Sequence, residues 1–531
     1  MKVKFSGDEE VTNSETMGEV LGIRTVRRDL PALARACDRY GMSDRSAAAI
    51  ASAVLEDVGL ITVNNSSIVI DKNKVRRQRR KARIELQMSE TKIELRGLFF
   101  DGRKDQTLTN RKEGRTFYRR TVVEEHISMI SEPDSSYLGH TSPSSSTAKD
   151  ITKSIVDYLT VRNISTEKLQ AIGCDGTNVN TGLKGGVIRL LEEKYQKPLQ
   201  WLVCLLHANE LPLRHLVENL DGPTSGPRGF MGPIGKKLSK CEQLPLTNFA
   251  RIPGDFPSIE LKDLSTDQRY LFEMSLAVCS GKCSPELSKR DPGKLNHSRW
   301  LTTANRLLRL YVASDEPSTS LVSLVTYIIK VYVPLWFSIK SKPSCKDGAL
   351  HLFRMIELSR YLPEDLRKIV DPVIQRNGFF GHPENILLSM ITDQRGHIRE
   401  LGLRRILKVR TQTNAPTALR RFKVPQLNFD AKDYVELINW QDVNITEPPL
   451  TVSVSDEWIK LFVADGSAPV VDFPRFPCHT QAVERCVKLV TESSANVCGA
   501  EARDGFIRTR VAARATMPCF NTKADYCVQL P

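Results

Sequence analysis

Hydrophobic and polar positions fall into three textures along the chain. Over residues 30–60, "LPALARACDRYGMSDRSAAAIASAVLEDVGL" repeats apolar residues every three or four positions, the period of helices with one buried face. Ser43 and Asp44 stand where the second helix needs an N-cap, a short side-chain oxygen that accepts an orphaned backbone N–H. Two helices joined by "YGMS" fit either a small packed bundle or a helix-turn-helix whose second helix enters a DNA major groove.

From Lys92 the texture changes to strands. "KIELRGLFFDG" is an apolar run ending on Asp101, and "RTFYRRTVVEEHISMI" alternates and is rich in β-branched and aromatic residues, as one or two further strands would be. A Ser-rich loop follows, then an amphipathic helix over "AKDITKSIVDYLTVRN", the strand "LQAIGCD", a helix over "GGVIRLLEEKY" and the strand "QWLVCLLH". This order predicts an α/β sheet with an antiparallel edge.

The third texture begins after "DGPTSGPRGFMGPIGKK", a Gly- and Pro-rich boundary near residues 220–237. From about 260 to 415 nearly every segment has helical period, and 416–475 is interrupted by proline. Helical patterns return over "HTQAVERCVKLVTESSANVC" and "EARDGFIRTRVAAR". The expected domains are a helical N-terminal region (1–91), an α/β core (92–219), a mainly helical segment (220–470) and a closing segment (471–531).

Composition sharpens this picture. The 531 residues exceed one simple core. Lys and Arg number 76 against 62 Asp and Glu, a net charge of +14, which favours a polyanionic partner, nucleic acid before an anionic membrane. The run "KNKVRRQRRKAR" concentrates that charge in Lys72, Lys74, Arg76, Arg77, Arg79, Arg80, Lys81 and Arg83. It is expected to contact DNA phosphates or to direct nuclear import, the alternative being a solvated helix face. The apolar stretch Leu321 to Ile339 approaches membrane-span length, but Lys330 and Pro334 within it point to a buried helix, so no membrane partner is expected. The first twenty residues lack the apolar core of a secretory signal, so the twelve cysteines are read as reduced thiols in cytosol or nucleus. Cys279 and Cys283 of "CSGKC" are candidate zinc ligands with His297 or Cys241, although the spacing is loose and no second CxxC supports them.

Asp101 and Asp175 share one design: each ends an apolar strand and is followed by Gly and polar residues. Were those strands parallel neighbours, two carboxylates would meet at the carboxyl edge of the sheet, where open α/β sheets gather their ligands. Close carboxylates repel, and a divalent cation relieves them. A third acid would complete a site for two Mg²⁺ or Mn²⁺ ions clamping a phosphoryl displacement. The competing explanation for Asp175 is local: an aspartate before Gly and Asn commonly caps a turn.

Several motifs, in order, resemble the hAT superfamily of cut-and-paste DNA transposases. "LFFDGRKDQT" and "IGCDGTNVNTG" look like its first two catalytic strands, "WLVCLLHANEL" is similar to its Cys-x-x-His motif, and "FPCHTQAVERCVKL" looks like its late helix. "NHSRWLTTANRLL" is similar to an Arg-Trp element at Arg299 and Trp300. The resemblance implies a ribonuclease H-like mixed-sheet core interrupted by a large all-α insertion. It implies Asp101, Asp175 and Glu484 as catalytic and metal-binding acids, and Cys204 and His207 as structural residues near the site. Trp300 and Arg485 are DNA-contact candidates beside bland alternatives, a packing anchor for Trp300 and a surface salt bridge for Arg485. Glu492 and Glu501 are rival third acids. Departures are Arg103 where the family carries Trp, Val483 where it carries Ser, and Val487-Lys488 after the Glu-Arg pair. They suggest a distant branch or a gene taken over by its host. The expected function is metal-dependent DNA cleavage and transfer in the nucleus by a homo-oligomer holding two DNA ends. The alternatives are an inactive DNA-binding or scaffold protein and a nuclease acting on RNA–DNA hybrids.

Overall fold

The structure is a computed structural model describing residues 29–62, 68–88, 93–114, 116–224, 229–296, 299–412, 423–443, 445, 455–466 and 475–516. The chain divides into two units, Met1–Ser89 with Arg508–Pro531, and Glu90–Ile507. Of the segment expected to return to the α/β core, the described residues 508–516 fall in the first unit.

In the first unit, α1 (Pro31–Arg39) and α2 (Asp44–Asp57) pack on a third helix, α3 (Lys72–Met88), which is the basic run itself. Ser43 caps α2 by accepting from the Ser46 N–H at 3.0 Å. Cys37, Ala47, Ala48, Ile70 and Val75 form the core of this three-helix bundle. The basic run is therefore a folded element rather than a free arm. Its charges are divided by helical period. Arg79 and Arg83 both grip Asp38, whose side chain is wholly buried, at 2.6–2.9 Å. Arg79 and Arg76 also hold Asp44, at 2.7 and 3.2 Å, and Lys81 pairs with Asp29. This corrects the expectation that all eight bases face DNA: four are committed to the bundle. Lys72, Arg77 and Arg80 are exposed and, with half-buried Lys74, form no ion pair among the described residues.

The second unit is mixed α/β. Its strands are β1 (Gly97–Glu113), β2 (Thr116–Glu132), β3 (Ser136–Thr141), β4 (Ala171–Cys174) and β5 (Gln200–Val203). They form one sheet of order β3-β2-β1-β4-β5, in which β2 runs antiparallel to β1 and β3, and β1, β4 and β5 are parallel. Between them lie α4 (Ala148–Val161), a short turn of helix, α5 (Asn178–Thr181), and α6 (Val187–Tyr195), with α7 (Leu205–Leu220) after β5. Alternation assigns the faces, because successive strand residues point to opposite sides. Leu98, Phe100, Ile172, Cys174, Trp201 and Val203 share one face and bury it against α4 and α6. Gly97, Phe99, Asp101 and Asp105 point the other way, toward α8 (Gln481–Asn496): Thr491 Oγ1 donates to Asp105 Oδ2 at 2.7 Å. The last described helix is α9 (Ala500–Thr516), of which residues 500–507 belong to this unit.

Two glycines let these layers approach. A Cβ on Gly173 would lie 2.4 Å from the Phe99 ring of the adjacent strand, and one on Gly97 would lie 2.6 Å from Phe476. The second contact brings the segment leading into α8 down onto β1. The helical region between β5 and α8 includes the long apolar helix Thr319–Ser341, long and apolar enough to cross a membrane but 72% buried in its most apolar window, with Lys330 over the Tyr361 ring. It is a core helix.

Candidate active site

Register brings the first two acids together. β1 pairs with β4 as Gly97↔Ala171, Leu98↔Ile172 and Phe99↔Gly173. Carried on by two residues, this offset sets Asp101 beside Asp175, the residue just after β4. Neighbouring strands lie about 4.8 Å apart and paired residues share a face. Asp101 does not end its strand, as its apolar run suggested. β1 continues to Glu113, and Asp101 marks the point where the buried sheet gives way to a two-stranded extension.

Glu484 arrives from the opposite layer, in the first turn of α8. Its Oε1 accepts from Thr480 Oγ1 at 2.8 Å. Electrostatics registers the meeting of all three acids. The Asp101 carboxyl is pushed up to about 7, by burial first and then by the negative charges of Asp175 and Glu484, although the Gly102 N–H donates to it at 2.7 Å. Neither Glu492 nor Glu501 is among the charges acting on it. Opposite Asp101 on β2 stands Ser128, whose buried hydroxyl has no hydrogen-bond partner among the described residues. Among those residues no three His, Cys, Asp or Glu side chains stand together as a ready metal cage. The three acids are neighbours through space, each held by its own element.

The local explanation of Asp175 accounts for one of its two oxygens. Oδ1 accepts from the Thr177 N–H at 3.2 Å, Thr177 Oγ1 at 2.8 Å and Asn180 Nδ2 at 2.6 Å, fixing the turn into α5. Oδ2 accepts no hydrogen bond among the described residues and remains for the site.

Cys204 and His207 support the acids. Burial, then the charge of Glu484, pushes the Cys204 thiol up to about 12, so it is not a thiolate, and it hydrogen-bonds with Thr480, the residue that holds Glu484. Leu205 N donates to Cys478 O at 2.9 Å, tying the start of α7 to the approach to α8. His207 lies against the turn after Asp175: a Cβ on Gly176 would sit 3.8 Å from its ring. One turn along α7 is Glu210, which sequence reasoning missed. Burial, then Glu484, pushes its carboxyl up to about 8. Its only sequence signal is its place in "HANEL", three residues past His207.

Cations flank the acids on the α8 side. Lys340 Nζ donates to Gln481 Oε1 at 3.3 Å, and its pKa is lowered by burial and then by the charge of Arg485. Burial, followed by the charge of Lys340, pushes His479 down to about 4. Arg485 is exposed and forms no ion pair among the described residues, unlike the surface salt bridge weighed for it. On the other side, a cleft of about 1030 Å³ opens from Gly176 and is lined by Lys184, Gly185, Arg376, Phe379 and Lys423, with no acidic side chain.

One expectation is corrected, and the zinc candidate stays without support among the described residues. Trp300 is 4% exposed and packs on Phe230 with ring centroids 6.1 Å apart, so it anchors its helix and offers no face to a DNA base. The zinc reading of Cys279 and Cys283 gains no third ligand: Cys241 is buried against Arg306, whose Nη1 lies 3.7 Å from its sulfur, and His297 lies outside the described residues. The chain matches no protein-family model and no curated protein.

Proposed function

We propose that the chain is a divalent-metal-dependent DNA-cleaving and strand-transferring enzyme of the hAT transposase type, built on a ribonuclease H-like core. The observation that carries this reading is the coupling of Asp101 to both Asp175 and Glu484, acids from two adjacent parallel strands and a facing helix. The helical region lies between the second and third acids, as the resemblance implies for an insertion into the core.

The residues fit a hard cation. Three carboxylates supply only oxygen donors, the preference of Mg²⁺ and Mn²⁺, and the orphaned Ser128 hydroxyl lies on the same face. Asp101, Asp175 and Glu484 would hold the ions. A bound pair supplies an activated water or 3′-hydroxyl and stabilises the leaving oxygen of the phosphodiester. The chain's own residues do the rest. Without a cation, Asp101 holds its proton more tightly than a free carboxyl, which limits repulsion among the acids. Lys340 and Arg485 place positive charge beside Glu484 for a phosphate, and the acid-free cleft beyond Gly176 receives the strand leaving the site. Exposed Lys72, Arg77 and Arg80 add a second DNA contact. Two ends held for joining call for a homo-oligomer, and this substrate places the protein in the nucleus.

The test is nicking of a supercoiled plasmid that carries the DNA flanking the chain's own gene. With Mg²⁺ the full chain should nick it, and with EDTA or as Asp175→Asn it should not. Equal nicking by wild type and Asp175→Asn removes the catalytic assignment. Binding by both with nicking by neither makes the protein a DNA-binding scaffold. Cleavage confined to an RNA–DNA hybrid makes it a hybrid-specific nuclease.

A further inference from the structure

Beyond the sheet, β1 and β2 continue alone. β4 pairs with β1 only over residues 97–99 and β3 with β2 only over 127–131, whereas β1 and β2 remain in register from Gly97↔Glu132 to Glu113↔Thr116. α8 supports the lower part of this extension through Thr491 on Asp105 and Ser494 beside His126. Past Thr107, which is buried, and its partner Val122, exposure rises quickly. Tyr118 is 48% exposed, and Asn110, Arg111, Lys112, Arg119 and Arg120 are exposed as well. Six residues in each arm, at about 3.4 Å apiece, carry the ribbon about 20 Å outward. A two-stranded hairpin with no packed face is marginal in water, so this one needs a partner.

Charge says which partner. Residues 108–121, "LTNRKEGRTFYRRT", hold five bases and one acid. Directly opposed residues share a face, so Arg111 and Arg120 fall on one face of the ribbon and Lys112 and Arg119 on the other, all four exposed. A ribbon lying on a flat acidic surface would need cations on one face. Cations on both faces suit a slot with negative walls on either side. The major groove of duplex DNA is such a slot, about 12 Å wide and 8.5 Å deep, and it admits a two-stranded ribbon. The same charged residues discourage strand addition by another protein at the ribbon's open edges.

We infer that the 108–121 ribbon is a finger that enters the major groove of duplex DNA. This goes beyond the carboxylate site and does not depend on it: a chain without catalysis would bind duplex through the ribbon all the same.

The experiment uses the full chain in EDTA and a 30-base-pair mixed-sequence duplex, with anisotropy followed from 50 to 200 mM KCl. Four phosphate contacts contribute about 3.6 to the slope of log K against log salt. The quadruple variant Arg111→Ala/Lys112→Ala/Arg119→Ala/Arg120→Ala should lose that much slope. The wild-type advantage should then shrink about 10²-fold across the salt range. Each face's pair should remove about half, while Arg111→Lys/Arg119→Lys/Arg120→Lys keeps the slope and shows that charge, not folding, is read. Unchanged duplex affinity and slope in the quadruple variant overturn the inference. So does an equal loss on a 30-nucleotide single strand, which would make the ribbon a general cationic patch. A changed sedimentation coefficient with duplex binding intact would make it a protein-docking arm instead.

Discussion

Replacing Asp101 by Asn should stabilise the protein, and only where the acid is charged. Asn keeps the shape of a protonated carboxyl and cannot be repelled by Asp175 and Glu484. The carboxyl moves from 3.8 to about 7 on folding, so the native state holds a proton that the unfolded chain releases. Stability therefore falls as pH rises from about 4 to about 7 and stays low above that. The full shift corresponds to about 4 kcal/mol at 1.36 kcal/mol per unit. Asp101 is half-buried and Glu484 is exposed, so solvent screening reduces this to about 2 kcal/mol. For a unit this large that is a rise of about 2 °C in Tm. Thermal melting in EDTA at pH 8 and pH 3 reads it: Asp101→Asn should melt about 2 °C above wild type at pH 8 and level with it at pH 3. Added Mg²⁺, binding the native state alone, should raise the wild-type Tm and narrow the gap. A variant less stable than wild type at pH 8, or equally stabilised at both pH values, would refute the idea that these acids repel one another.

Other perturbations separate roles that share a residue. Asp175→Asn keeps the Oδ1 that holds Thr177 and Asn180 and should change Tm little, whereas Asp175→Ala should cost about 1 kcal/mol by denaturant titration; both should abolish nicking. Arg79→Ala should destabilise the N-terminal unit by about 3 kcal/mol because it weakens the clamp on buried Asp38, while Arg77→Ala/Arg80→Ala should leave unfolding unchanged and weaken duplex binding in anisotropy. Gly173→Ala forces a methyl group against Phe99 and should cost about 1–3 kcal/mol, measured by urea unfolding. Glu210→Gln should raise Tm at pH 7 and leave it unchanged near pH 4, since its carboxyl also binds its proton more tightly when folded.

The pattern of the chain made the sheet legible only where a face is buried. "LQAIGCD" and "GGVIRLLEEKY" announced β4 and α6 because most of their apolar residues meet one core. "LFFD" announced the base of β1, but its continuation "GRKDQTLTNRKE" has no apolar alternation, because most of the ribbon beyond the sheet packs nothing, and the extension past Asp101 went unseen. The strand "QWLVCLLH" was read too long: pairing stops at Val203, and Cys204 already precedes α7. Asp101 and Asp175 stand side by side because each follows an apolar run of the same length in β1 and β4, whose parallel register is Gly97↔Ala171 to Phe99↔Gly173. Glu484 was proposed from the order of motifs and not from any local feature, since 308 residues lie between it and Asp175. Glu210 and Ser128 owe their positions to α7 and β2 facing the acids, a tertiary fact with no trace in spacing. The basic run misled in the opposite direction. A count of charges says nothing about which of them a buried Asp38 will draw inward.

Direct titration of the full chain with Mn²⁺, followed by electron paramagnetic resonance of the free ion, addresses the claim on which the catalytic reading rests. Wild type should take up Mn²⁺, and Asp101→Asn, Asp175→Asn and Glu484→Gln should each weaken that uptake at least about tenfold, while Glu492→Gln binds as wild type does. Uptake that survives all three substitutions, or that fails only with Glu492→Gln, would contradict a site shared by these three acids.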